Sequence, residues 1–200
     1  MAVSRDAERP AEDHEGAARE ICLRLLAFAP RTRAQLAATL RRRGVPDEAA
    51  EAVLGRFADV GLIDDATFAS AWVESRHYSK GLSGRALGAE LRSRGVATDD
   101  IRAAVGQLQP DQEIATARSL VASRLAATSG QPPAARVRRM IGTLARKGYS
   151  PALAYRLVRE ALEREGVDLA AAGLELDDLP DVPDLPDEPE APEEAGGAGW

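Results

Sequence analysis

Leu36-Ala-Ala-Thr-Leu40-Arg-Arg-Arg-Gly44-Val45, Leu87-Gly-Ala-Glu-Leu91-Arg-Ser-Arg-Gly95-Val96 and Met140-Ile-Gly-Thr-Leu144-Ala-Arg-Lys-Gly148-Tyr149 are one phrase written three times. In each, large apolar residues stand eight and four positions before a glycine, basic residues lead up to it, and an apolar residue follows. The four-residue spacing puts the apolar pair on one helical face. Glycine after a basic helix end favours a left-handed cap, and the positive charge complements the helix dipole. Leu54, Val105 and Val158 lie ten positions beyond the three glycines, so a second helix follows each turn.

Working outward, a further helix precedes each pair, over about 17–29, 65–79 and 111–127. No run of alternating β-branched residues suggests a strand. The expected fold is all-α: nine helices in three tandem three-helix repeats. One such unit buries little alone, so neighbours should stack into an elongated, curved array. The predicted organisation is a flexible N-terminus over 1–16, repeats over 17–62, 63–109 and 110–165, and a disordered tail over 166–200. Capping chemistry marks the helix starts. Thr32 with Gln35 fits a capping box, and Asp64 caps the next long helix, with Ile63 and Phe68 spaced as a hydrophobic staple. Ser83, Thr98 and the pair Ser150-Pro151 mark further starts.

Charge divides the chain in two. The 200 residues carry a net −6, yet 166–200 hold 11 acidic residues and no basic one. Residues 1–165 hold 26 basic against 21 acidic, a net of +5. Pro180, Pro183, Pro186, Pro189 and Pro192 recur every third position among the tail's acids, which blocks helix and sheet and favours extended chain. One cysteine, Cys22, rules out an internal disulfide. No apolar run approaches the roughly 18 residues of a membrane span, and no signal peptide is visible, so a cytoplasmic location is expected.

Enzyme motifs are missing: no phosphate-binding loop, dinucleotide fingerprint or nucleophile elbow. Cys22, His14 and His77 have no metal-ligand spacing. Cys22 sits on an apolar face as an inert thiol, and His77 near a helix end reads as a surface or dipole-complementing residue. Asp64 and Asp65 could form an acid–base or metal pair, but a helix cap with a charge at the positive dipole end suits them better. Phe68, Trp72 and Arg76 share one stripe, the aromatics reading as core and the arginine as its exposed end. No catalytic residue, cofactor or metal is expected, and the chain should be a monomer. The basic helix ends carry the functional signal: Arg41, Arg42, Arg43, Arg92, Arg94, Arg138, Arg139, Arg146 and Lys147 are candidate contacts to phosphates or an acidic protein groove. Arg118 to Glu165 alone carry ten basic and three acidic residues. Few aromatics argue against a base-stacking platform, so DNA binding by the chain alone should be weak and indifferent to sequence.

The stretch Phe57-Ala-Asp-Val-Gly-Leu-Ile-Asp-Asp65, which contains Gly61, runs on to Phe68-Ala69 and to Trp72 through Arg76. With Lys80-Gly81-Leu82-Ser83, Leu87, Glu90-Leu91 and Arg94-Gly95-Val96, it resembles the signature of the RecX family. Leu144-Ala-Arg-Lys-Gly-Tyr149 is similar to that family's third-repeat element. The resemblance covers roughly 20–165 and leaves out the acidic tail. It implies a non-enzymatic regulator that binds RecA and its filaments on single-stranded DNA, limiting filament growth, strand exchange, ATP hydrolysis and stimulated LexA cleavage, and so acting in DNA repair and the SOS response. It assigns no contact residue by residue. A non-specific DNA-binding helical protein and a helical scaffold for another protein are the alternatives.

Overall fold

The structure, a computed structural model, describes residues 8–167, with side chains from Asp13 onward. Among the described residues there are nine helices and no strand. They are α1 Glu8–Phe28, α2 Arg33–Arg42, α3 Asp47–Asp59, α4 Asp65–Lys80, α5 Gly84–Ser93, α6 Thr98–Gly106, α7 Pro110–Ala126, α8 Pro133–Arg146 and α9 Pro151–Arg164. The acidic tail expected from the sequence lies outside the described residues from 168 onward.

The helices fall into three successive units, each with its own core. Leu36, Leu40, Val53 and Leu54 anchor the first with Ala18 and Cys22 of α1. Leu87, Leu91, Ile101 and Ala104 anchor the second with Ala69 and Val73 of α4. Met140, Leu144, Leu157 and Val158 anchor the third with Ala117, Val121 and Leu125 of α7. The repeated apolar pair therefore does the same job three times. α1 starts at Glu8, inside the stretch expected to be flexible, and Glu15 pairs with Arg56 of α3 at 2.5 Å, tethering its first turns. Ile63 and Phe68, spaced as a staple, go to different cores: Ile63 closes the first unit and Phe68 packs on the second.

Four of the five expected caps follow the sequence, whereas Thr98 is the first residue of α6 and its N-cap, Ala97, makes no side-chain bond. Thr32 and Gln35 form the reciprocal capping box, and the side chains of Asp64, Ser83 and Ser150 accept from the backbone amides of Thr67, Ala86 and Leu153. At each repeated glycine the chain turns left-handed, with φ of +77° at Gly44, +76° at Gly95 and +85° at Gly148. The next residue's amide then returns to the second apolar anchor: Val45 to the Leu40 carbonyl, Val96 to Leu91 and Tyr149 to Leu144. These are Schellman turns that satisfy carbonyls left open at the helix end.

Two of these turns also join the units. The Gly95 turn rests on the start of α2, where the Thr32 hydroxyl donates to the Arg94 carbonyl at 2.7 Å. A Cβ on Gly95 would lie 2.3 Å from the Ala34 Cβ. The Gly148 turn rests on the start of α5, where the Ser83 amide donates to the Lys147 carbonyl at 2.9 Å. A Cβ there would lie 2.4 Å from the Ser83 hydroxyl and 2.6 Å from the Ala86 Cβ. A carboxylate from the following unit completes each joint. Asp65 accepts from the Arg33 amide at 2.9 Å, and Glu113 accepts from the Gly84 amide at 3.1 Å. Gly44 has no preceding unit, and nothing lies within 4 Å of its Cβ position. At the other end the register changes. The place of Thr32 and Ser83, four residues before the first anchor, is taken by Arg136, and α8 begins earlier at Pro133. Arg136 is buried and donates to Glu165 at 2.6 Å and to the Leu125 carbonyl at 3.2 Å.

Gly44 and Gly95 share one backbone conformation but not one environment, so they separate strain from close approach. Gly44→Ala should cost about 1 kcal/mol, the ordinary penalty of left-handed backbone. Gly95→Ala should cost about 1–3 kcal/mol more, because the α2 backbone must move to make room. Urea denaturation of the two variants measures the difference.

Candidate partner-binding surface

The nine basic candidates divide by position. Arg41, Arg42, Arg43, Arg92, Arg138, Arg139 and Arg146 are exposed. Arg41 lies 3.6 Å from Asp47, a solvent-exposed pair of small energetic weight. Arg42 and Arg146 hold equivalent places, and each guanidinium reaches back to a threonine hydroxyl three residues earlier, Thr39 at 3.1 Å and Thr143 at 3.3 Å. Arg94 and Lys147 are half-buried and belong to the joints. The Arg94 guanidinium stacks 3.8 Å from the Trp72 ring centroid, and the Lys147 ammonium donates to the Lys80 carbonyl. Arg43 holds the same position before its glycine but faces solvent.

Trp72 organises the flank of the second unit. Its indole donates to Glu90 at 2.8 Å, Phe68 stacks on it at 5.6 Å, and Arg76 covers its ring at 4.2 Å. The two aromatics are half-buried beside the core rather than within it, and Arg76 folds back over the ring instead of ending the stripe in solvent. The attraction between a cation and the ring's negative face explains both arginine positions.

The paired carboxylates are occupied structurally. Asp64 accepts from the Thr67 hydroxyl at 2.6 Å and the Thr67 amide at 2.8 Å, which together hold its carboxyl below the usual range. Asp65 is committed to the first joint. Burial pushes the Cys22 thiol up, away from the reactive thiolate. Among the described residues no group of three or more His, Cys, Asp or Glu side chains could hold a metal ion, and no helix is long and apolar enough to cross a membrane.

Between α4 and α7, at the second joint, runs an open groove of about 1660 Å³. His77 lies against it and is 5% exposed, not the surface residue its place in the sequence suggested. Its Nδ1 meets the Leu82 carbonyl at 2.8 Å and its Nε2 meets the Thr116 hydroxyl at 2.9 Å, bonding α4 to α7. Tyr149 adds a buried bond from its hydroxyl to the Gly81 carbonyl at 3.1 Å. Lys80, Arg124, Arg146 and Lys147 line the groove, with Glu74 as its one acidic lining residue. Burial first, then the charges of Arg124 and Lys80, holds the Lys147 ammonium below the usual lysine range. Lys80 and Arg124 were not among the sequence candidates. A signal was there to be read: the chain has 24 arginines but only two lysines, and both lysines meet at this joint.

Known proteins match this architecture. Family models for the first and second three-helix domains of RecX match residues 18–57 and 64–105. The regulatory protein RecX of Thermobifida fusca (strain YX) is 65% identical over 158 residues, covering 79% of this chain and 85% of that one. The chain belongs to the RecX family. The regulatory protein RecX of Streptomyces coelicolor is 56% identical over 166 residues, covering 83% of this chain and 88% of its own. The crystal structure of RecX from Lactobacillus salivarius superposes with a TM-score of 0.67 at 16% identity, covering 76% of this chain and 99% of that one, a likeness of fold. The RecX signature read from the sequence thus includes the left-handed turn at Gly61 (φ +71°), the cap Asp64, the joint residues Asp65 and Gly95, and the Trp72–Arg94 stack on the flank of the second unit.

The division of the cations has a direct test. Arg94→Ala removes a guanidinium stacked on Trp72 and should cost about 1–2 kcal/mol. Arg92→Ala, on the exposed side of the same helix end, should change stability by less than about 0.5 kcal/mol. Chemical denaturation of both variants, followed by helical circular dichroism, distinguishes them.

Proposed function

We propose that this RecX-family chain binds RecA and its filament on single-stranded DNA and restrains the filament's ATP hydrolysis, strand exchange and stimulated LexA cleavage. The observation that carries the reading is the recurrence of exposed arginines at the ends of the second helices: Arg41 to Arg43 in the first unit, Arg92 in the second and Arg146 in the third. Arg138 and Arg139 extend the third unit's share along α8. A serial array that offers cations unit by unit suits a partner that is itself repetitive. Modest contacts then add through multivalency, with no single deep pocket required. The protein acts here as a binding regulator, without catalytic chemistry of its own, as a monomer in the cytoplasm.

The cations can meet acidic RecA surface or DNA phosphate, and salt dependence on bare DNA separates the two. The test is DNA-dependent ATP hydrolysis by preformed RecA filaments, titrated with this protein. The wild-type chain should inhibit at concentrations well below RecA. Arg138→Glu/Arg139→Glu/Arg146→Glu should need about tenfold more protein or greater for half-inhibition, because reversed rim charges repel the partner. Its helical circular dichroism should be unchanged. Full inhibition by the folded triple variant would place the contact elsewhere, and tight binding of the wild-type chain to bare DNA would favour a DNA-binding protein instead.

A further inference from the structure

The groove at the second joint gathers more positive charge than its own walls balance. Lys80, Arg124, Arg146 and Lys147 come from three helix ends, those of α4, α7 and α8, and Glu74 is the one carboxylate among the lining residues. None of the four cations has a carboxylate partner among the ion pairs of the described residues. Lys147 is already partly desolvated there and crowded by two like charges. Leu82, Leu108 and Leu120 add apolar surface, and Ser70, Ser119 and Thr143 add hydroxyls. A ligand matched to these walls is extended, acidic and interspersed with small apolar groups.

The chain itself supplies such a ligand. Residues 168–200 lie beyond the last described residue and hold 11 carboxylates with no base. Their centre is a threefold repeat, Leu179-Pro180-Asp181, Val182-Pro183-Asp184 and Leu185-Pro186-Asp187. Wound as polyproline II, with three residues per turn, this repeat would put its aspartates on one edge and its Leu and Val side chains on another.

We propose that the groove between α4 and α7 is the docking site of the chain's own acidic Leu/Val-Pro-Asp segment. The reach is sufficient. Val167 packs on the third core, and neighbouring Glu165 is bonded to Arg136 near the start of α8. Arg146 and Lys147 stand at the other end of that helix, whose 14 residues span about 20 Å. The 13 residues from 168 to 180 can cover about 40 Å when extended. The docked carboxylates relieve the mutual repulsion of Lys80, Arg124 and Lys147. This intramolecular contact does not rest on the RecA reading.

The test is amide NMR on the full chain and on a full-length Asp181→Asn/Asp184→Asn/Asp187→Asn variant. In 50 mM NaCl the two spectra should differ at groove amides, chiefly Lys80, Ser119, Arg124, Thr143 and Lys147. In 500 mM NaCl the differences should vanish, because screening shortens the reach of exposed charges. A second full-length variant, Arg124→Glu/Arg146→Glu, should already show the groove amides at their undocked positions, and neutralising the aspartates in it should add nothing. Groove amides that are the same in the wild-type and neutralised chains at low salt would overturn the proposal. So would differences centred on Arg41 to Arg43, or groove differences that persist at high salt.

Discussion

Everything in this molecule depends on a helix end pressed against a helix start. Each unit has a core of a few leucines, valines and alanines, small for an independent fold. What makes three units one body is the fit of the Gly95 turn on α2 and of the Gly148 turn on α5. The fit requires a backbone with no side chain at the glycine, a small residue opposite it, and an acid from the next unit to take a free helix amide. Both joints meet these conditions with different atoms: a threonine hydroxyl in one, a serine amide in the other, an aspartate in one and a glutamate in the other. A geometry reached twice by different chemistry indicates that the geometry itself is the constraint.

The sequence made the units legible because helix periodicity and capping are local. The apolar pairs, the capping box at Thr32 and the caps at Asp64 and Ser150 all act within a few residues, and each stands where its spacing implied. What could not be read was long-range. Gly95 and Gly148 look like helix stops, and they are, but nothing nearby in the chain reveals that Ala34 and Ser83 press on them. The same holds for His77, whose partner Thr116 lies 39 residues away. The cations show this limit most clearly. Arg43, Arg94 and Lys147 are equivalent in the sequence, yet Arg94 lies over Trp72 of its own unit and Lys147 reaches Lys80 of the preceding one, while Arg43 stays exposed.

That distinction sharpens the functional surface. Removing Arg94 and Lys147 from the exposed set leaves cations that decorate the array without holding it together. The cations that hold the units and the cations that face solvent are therefore different residues, although both sets are arginine-rich. The second joint is the exception. There the lysines, Tyr149 and His77 hold two units together and also shape a groove with a surplus of charge. Lys147 fits this place: its compact ammonium donates to the Lys80 carbonyl at the end of α4.

Arg136 has a consequence for assembly. A joint that links one unit to the next, head to tail, is the kind of contact that can repeat without closing and so grow into fibres. The first unit carries one half of such a joint on its open side, the uncovered Gly44 turn. The matching half on the third unit is absent, because the docking position is filled by an arginine sealed against Glu165 and the helix runs on past it. The joint that links the chain's own units is therefore not offered again by the third, although it is built from a geometry that could otherwise recur.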